Sequence, residues 1–297
     1  MVAKSPSFLR TIGEPRSVIT PIATGLTFPQ SLDVAVKLYS EDIRTFQALV
    51  KEVGSSAELL DRIRAEGGFD KEIRGSLLKL FRRCVSLILD TETTSKIKKF
   101  PTAALVESYG HTFKEIEQLK SEFAELPSGT ISALAALLAE NDSRGQSGYL
   151  LTEQFFSWFE KTYKGRFSID GPRGAGKDIE LKTLFPDFDS SYPCDFVIKG
   201  SDTKLLAVGF ARYDSTRGGS QSDDRTGGNS NKVEKAKAFH ATTGNKFRIV
   251  FLADGPGLTH GDTWEEASLL DGAWDDNVRV TTLKLAPTRI TADWLES

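Results

Sequence analysis

The side chains best suited to chemistry fall between positions 170 and 235. In GKDIELK an extended backbone puts Asp178, Glu180 and Lys182 on one face and Ile179 and Leu181 on the other, so two acids and a lysine share a small patch. PCDFVI then sets Asp195 at the mouth of an otherwise apolar run. A carboxylate there is costly unless it is paired, hydrogen-bonded or bound to a metal ion. Asp178, Glu180, Lys182 and Asp195 together are the chain's best candidates for chemistry. The bland alternative is an edge strand with a solvated charged face.

GPRGAGKD also has the GxxxxGK spacing of a phosphate-cradling loop. Such a loop needs Ser or Thr after the lysine to hold magnesium and a helix behind it. Asp178 would instead bring negative charge toward the phosphates, and DIELKTLFP alternates like a strand and runs into Pro186. A nucleotide cofactor is therefore not expected, although Arg173 and Lys177 remain candidates for contacts to nucleic-acid phosphates.

The elements that must position these residues divide the chain in two. Residues 1–29 hold prolines and little periodicity, which suggests an extended arm. Leu32, Val36, Tyr39, Ile43, Phe46 and Val50 then recur at helical spacing up to Gly54. DKEIRGSLLKLFRRCVSLILD predicts a central helix carrying Leu77 to Ile88, and further helices are expected near 103–125, 129–141 and 149–163. After Gly165 the period falls toward two. RFSID, KDIELKTLF, CDFVIKG, KLLAVGFARYD, KFRIVFLAD and NVRVTTLKL read as strands, with a hairpin between Lys199 and Lys204 and helices near 231–241, 263–271 and 288–296. The expectation is an α/β (α+β) protein, a mixed sheet with flanking helices over 146–297 preceded by an arm and helical region over 1–145.

Composition limits the partners. The chain has 297 residues, 39% hydrophobic and 27% charged, which fits a folded protein, and its net charge of −3 means that any polyanion must be met by a local surface. Cys84 and Cys194 stand in unrelated contexts, without zinc-ligand spacing. No run approaches the ~18 apolar residues of a membrane span, and MVAKSPSFLRTIGEPRS lacks a signal-like apolar core. A cytoplasmic protein with no membrane partner is expected.

From Arg212 to Lys232 runs a glycine-rich, polar stretch. Arg212, Arg217, Gln221, Arg225, Asn229 and Asn231 are side-chain types that contact guanine or adenine edges, and Gly218, Gly219, Gly227 and Gly228 let backbone approach closely. A flexible surface loop is the plain alternative. Asp223 and Asp224 would repel phosphate unless they bind metal or accept from cytosine. His240 reads as a helix-end packing residue.

A helix with an acid (Glu153 or Glu160), the GKDIEL segment, the hairpin with Pro193 and Asp195, a third strand and a helix with Lys232, Glu234 and Lys235 follow one another over roughly residues 150–255. This order resembles the catalytic half of type II restriction endonucleases of the PD-(D/E)XK nuclease superfamily. LFRRCVSLILDTE and ARYDSTRGGSQSDDRTGG also look like stretches of restriction-enzyme sequences. The resemblance implies a restriction-endonuclease-like fold and a sequence-specific double-stranded DNA endonuclease. It further implies Mg²⁺ held by Asp195 and a second acid, for which Glu180 and Asp178 are the candidates, with a lysine such as Lys182 that orients or deprotonates the attacking water. A homodimer is expected, since a palindromic site is read most simply by a two-fold protein. The third strand of that superfamily carries (D/E)xK, whereas Gly209-Phe210-Ala211 stands at the expected distance. Four readings follow: Glu180-Leu181-Lys182 supplies the groups; Glu234 with Lys232 or Lys235 supplies them from the helix; Asp214 with Arg212 acts at the strand end; or the protein binds DNA without cutting it.

Overall fold

The structure, a computed structural model, describes residues 7–23, 27–140, 146–174, 176–215 and 222–297, the side chains of 146 and 222–227 excepted. The chain forms two compact units, one of residues 25–144 and one that joins residues 1–24 to 145–297. The internal boundary falls at the polar AENDSRGQSG stretch. The arm, grouped with the helical region on sequence grounds, belongs to the sheet unit.

The helical unit contains α1 (Gln30–Glu52), α2 (Ser56–Arg64), α3 (Lys71–Cys84), α4 (Thr91–Ser95), α5 (Thr102–Tyr109), α6 (Ile116–Glu122) and α7 (Ser128–Ala139). Its core is the apolar stripe of α1, with Ile43, Phe46 and Val50, closed by Leu59, Leu60, Leu77, Leu80 and Phe81. α3 ends at Cys84 instead of running on to Asp90, which caps α4 through a 2.7 Å bond from the Thr93 N–H. Leu87 and Ile88 are therefore exposed loop residues and not core. The buried Arg64 ties three segments together, donating to the Thr94 carbonyl at 2.8 Å, to Thr102 Oγ1 at 2.9 Å and to the Phe100 carbonyl.

In the second unit α8 (Gln146–Thr162) leads into β1 (Phe167–Asp170), β2 (Ile179–Glu180), β3 (Pro193–Cys194), β4 (Phe196–Gly200), β5 (Leu205–Tyr213), α9 (Ser222–Thr243) and β6 (Arg248–Asp254). α10 (Gly261–Leu270), α11 (Ala273–Asp276), β7 (Val278–Thr281), α12 (Ala286–Arg289) and α13 (Ala292–Glu296) complete it. A five-stranded mixed sheet has the order β1-β4-β5-β6-β7. Its first three strands are antiparallel, and β5, β6 and β7 run parallel. Parallel neighbours need crossovers, which α9 and α10 provide. β6, RIVFLAD, is buried almost throughout because helices cover both faces of the sheet. α8, α12 and α13 pack Phe155, Phe159, Ile290 and Trp294 on one face, and α9 and α10 pack Val233, Phe239, Ala267 and Leu270 on the other.

Two sequence expectations change here. KDIELKTLF forms only the two-residue β2, paired with β3, and then turns into a 3₁₀ segment at Leu181–Thr183. Among the described residues, α9 starts at Ser222, so Arg225, Asn229, Asn231 and Lys232 sit on a helix and not in a loop. Arg217 and Gln221 lie outside the described residues.

The N-terminal arm crosses the carboxyl ends of the parallel strands. Asp254, wholly buried at the end of β6, accepts from the Thr20 and Gly255 N–H groups at 2.8 Å each and from the Leu283 N–H at 2.9 Å. Asp271 does the same for Ser7 Oγ, the Leu9 and Val280 N–H groups and Arg289. Both acids serve the fold. Each buried N–H stranded without an acceptor costs about 1–3 kcal/mol, so Asp254→Ala is expected to lower stability by at least ~3 kcal/mol. Denaturant unfolding checks this, and a loss below about 1 kcal/mol would contradict the assigned role.

Candidate functional site

Asp195 lies just before β4 and beside the last third of β5. Its N–H donates to the Gly209 carbonyl at 3.0 Å, and its Oδ2 accepts from the Ala211 N–H at 2.7 Å. Phe196 pairs with Gly209, which brings Phe210 opposite Asp195. The glycine has a steric cause: a Cβ on residue 209 would come within 1.9 Å of the Phe196 ring. That ring is wedged against Phe155 and Phe156 of α8. The third-strand position expected to hold an acid therefore faces α8, and Phe210 and Arg212 occupy the side of β5 that Asp195 shares.

Lys232 comes to this side from α9. Its Nζ stands 3.6 Å from the centroid of the Phe210 ring, an attraction that holds an ammonium against an apolar surface. The backbone there is fixed by Tyr192, whose hydroxyl donates to the Lys232 carbonyl at 3.1 Å. Burial lowers the Lys232 pKa, and the charge of Asp195 resists that shift, with lesser help from Cys194 and Asp178. Burial likewise raises the Asp195 pKa; the Ala211 N–H opposes this, Asp178 adds to it by repulsion, and Lys232 pulls it back. Cys194, enclosed beneath these charges, has its thiol pushed up to about 12 chiefly by burial and is unreactive.

The charge of Asp178 acts on Asp195 from the segment that follows β1. Gly171 passes so close that a Cβ would lie 2.4 Å from the Asp195 carbonyl oxygen. Arg173 anchors the segment to α8 through Glu153 at 2.7 Å and through Glu160, lying over the Phe156 ring. Arg173 was expected to meet phosphate, and the two helix acids to serve the site. Instead they neutralise one another. Lys177 is exposed on the same segment, which no helix follows.

The other expected residues are dispersed. Glu180 accepts from Ser191 Oγ at 3.1 Å and the Tyr192 N–H at 3.0 Å, and so shapes the turn ahead of β3. Lys182 is exposed on the 3₁₀ segment beyond the buried Leu181. Glu234 is exposed and pairs with Lys237 at 2.7 Å, and Lys235 donates to the Ser191 carbonyl. Asn231 faces solvent. Asp214 receives Arg212 Nε at 2.8 Å. His240 closes the end of α9 on the Asn245 carbonyl and packs against Trp274.

Asp195, Arg212, Asp214, Asn229 and Lys232 line one cleft of about 320 Å³ between α9 and α10, at the carboxyl ends of β5 and β6. Thr263 and Glu266 of α10 line it too. Sequence reasoning missed both, and their only signal was a place on the same helical face as Ala267 and Leu270. Among the described residues, no group of three or more acids, histidines and cysteines is arranged to hold a metal ion. No helix among them is long and apolar enough to cross a membrane. No protein-family model matches the chain, and no curated protein or solved structure does either.

The electrostatics give signed expectations. With its carboxyl carbon followed by NMR, Asp195 should titrate above its ordinary value. Asp178→Asn removes a repulsion and should move that titration to lower pH, whereas Lys232→Met removes an attraction and should move it to higher pH. Equal behaviour of both variants and the parent would contradict the site as described.

Proposed function

We propose that the chain is a Mg²⁺-dependent endonuclease of double-stranded DNA, specific for sequence and acting in the cytoplasm as a homodimer. The observation that carries this reading is the placement of Asp195 and Lys232 on the wall of one cleft, with the charge of Asp178 acting on Asp195. Magnesium keeps several waters and commonly takes one or two carboxylates with phosphate oxygens completing its shell. Asp195 and Asp178 would be the two carboxylates that hold such an ion, and its charge would relieve their repulsion. Bound there, Mg²⁺ would lower the pKa of a water and neutralise charge on the scissile phosphate.

The chain's own residues then have separate tasks. Asp195 is preset by the Ala211 N–H, which fixes the direction of its second oxygen. Lys232 supplies from α9 the cation that β5 lacks, and its depressed pKa suits it to hold or accept a proton from the attacking water. Arg212 and Asn229, on the walls of the cleft, are placed for phosphate or base contacts. Glu180, Lys182 and Glu234 have no part in this arrangement. The lack of an acid on β5 favours a second reading, in which the protein binds DNA without cutting it.

Purified protein with Mg²⁺ is expected to cut mixed-sequence plasmid DNA at defined positions. Asp195→Ala should slow cutting about a thousandfold, or ~4 kcal/mol in the barrier, and Lys232→Ala about a hundredfold. Intact plasmid would sink the endonuclease reading, and specific retention of DNA without nicking would establish the second one.

A further inference from the structure

The cleft beside Asp195 is larger and more apolar than a cation and a phosphate require. Away from the charged mouth it is walled by Phe210, Phe251, Leu258, Ala267, Leu270 and Val280. Phe210 and Phe251 lie with ring centroids 5.4 Å apart and 25° between planes, so two aromatic rings contribute to one wall. A phosphate or sugar gains nothing from such a surface. A duplex presents only base edges and charged backbone, and a stacked base pair cannot enter a space of about 320 Å³.

Polar groups occur on the same walls. Thr263 is 7% exposed, and its Oγ1 has no hydrogen-bond partner among the described residues. A buried hydroxyl left in that state is unusual and calls for a partner. Glu266 lies one helical turn further along α10, half-buried, and Asn229 faces the cleft from α9. The set is one acceptor-only carboxylate, one amide and one hydroxyl. Two apolar faces and a polar edge are the features of a single nucleobase. A carboxylate that can only accept suits such an edge, because every nucleobase presents a ring N–H or an amino group there.

We propose that this cleft receives a nucleobase turned out of the DNA duplex, with Glu266 accepting from a ring N–H or amino group on its edge. The proposal rests on the endonuclease reading, because Asp195 and Lys232 at the mouth are what bring the DNA backbone to this place. Extrusion of a base requires breaking its pair and its stacking, and that cost is least where the pair is already lost.

The test starts from the sequence that the protein cuts or protects. Binding is measured in Ca²⁺ to a series of duplexes of that sequence, each with an abasic site opposite one base. Binding should tighten about tenfold at one position and weaken or stay unchanged elsewhere. Ala267→Phe, which fills the cleft, should abolish that gain. Glu266→Gln, which keeps size and removes only the charge, should reduce it and serves if the first variant does not fold. If no position tightens while the parent still cuts a defined sequence, or if both variants keep the full gain, the base-binding assignment is overturned and the endonuclease reading stands. If the parent neither cuts nor binds DNA, both fall together.

Discussion

A carboxylate set into the end of an apolar sheet must be stabilised by its surroundings, and the sheet unit around Asp195 is arranged to do this only in part. One backbone N–H, from Ala211, reaches it. Burial and Asp178 work against its charge, and Lys232 works for it. Compare Asp254, which lies deeper but accepts from three backbone N–H groups, or Asp271, which meets Arg289, a serine hydroxyl and two N–H groups. Those two are each held by several donors of the fold. Asp195 keeps lone pairs and an unfavourable environment for its charge, and a cation would correct both.

The placement of Lys232 follows from the same packing that removes an acid from β5. Phe196 needs the space over Gly209, so the backbone there can carry no side chain, and the next residue turned toward Asp195 is a phenylalanine. An aromatic ring opposite a carboxylate provides a surface on which an ammonium can rest while remaining charged. α9, anchored by Val233, Ala236 and Phe239 on the sheet, brings Lys232 to that ring. A helix-borne lysine thus rests on a strand-borne phenylalanine beside Asp195.

Much of the fold was legible because burial imposes simple periods. The stripe of α1 and the apolar runs of β4, β5 and β6 each reported how many faces were covered. DIELKTL misled because alternation over a few residues fits an extended strand and a short bridge with a 3₁₀ turn equally well. The buried Leu181 marks where the chain turns under the sheet unit. α9 was hidden by composition: glycine, serine and asparagine disfavour helix locally, and only tertiary anchoring of its second half carries the helix back toward Ser222. Leu87 and Ile88 continued a helical stripe that Asp90, by capping the next helix, does not allow. In the site, Asp195, Asp178 and Lys232 could be named from sequence. Their meeting could not, because it depends on Gly171 passing against the Asp195 backbone and on the Tyr192 hydroxyl bonding the α9 backbone.

The arm explains why the site sits where it does along the sheet. In open sheets with parallel strands, ligands approach at the carboxyl ends. Here the ends of β6 and β7 are taken: Thr20 is tied to Asp254, Val18 accepts from Thr282 Oγ1, and Ser7 and Leu9 are held by Asp271. Ile22 bonds the Tyr213 hydroxyl, which also donates to the Thr20 carbonyl, so the arm reaches the far side of β5 as well. What the arm leaves is the side of β5 that faces α9 and α10, which is where Asp195, Arg212 and Lys232 converge. The fixed acids hold the arm across part of the strand ends, and the side of β5 where Asp195 stands is left open to the cleft.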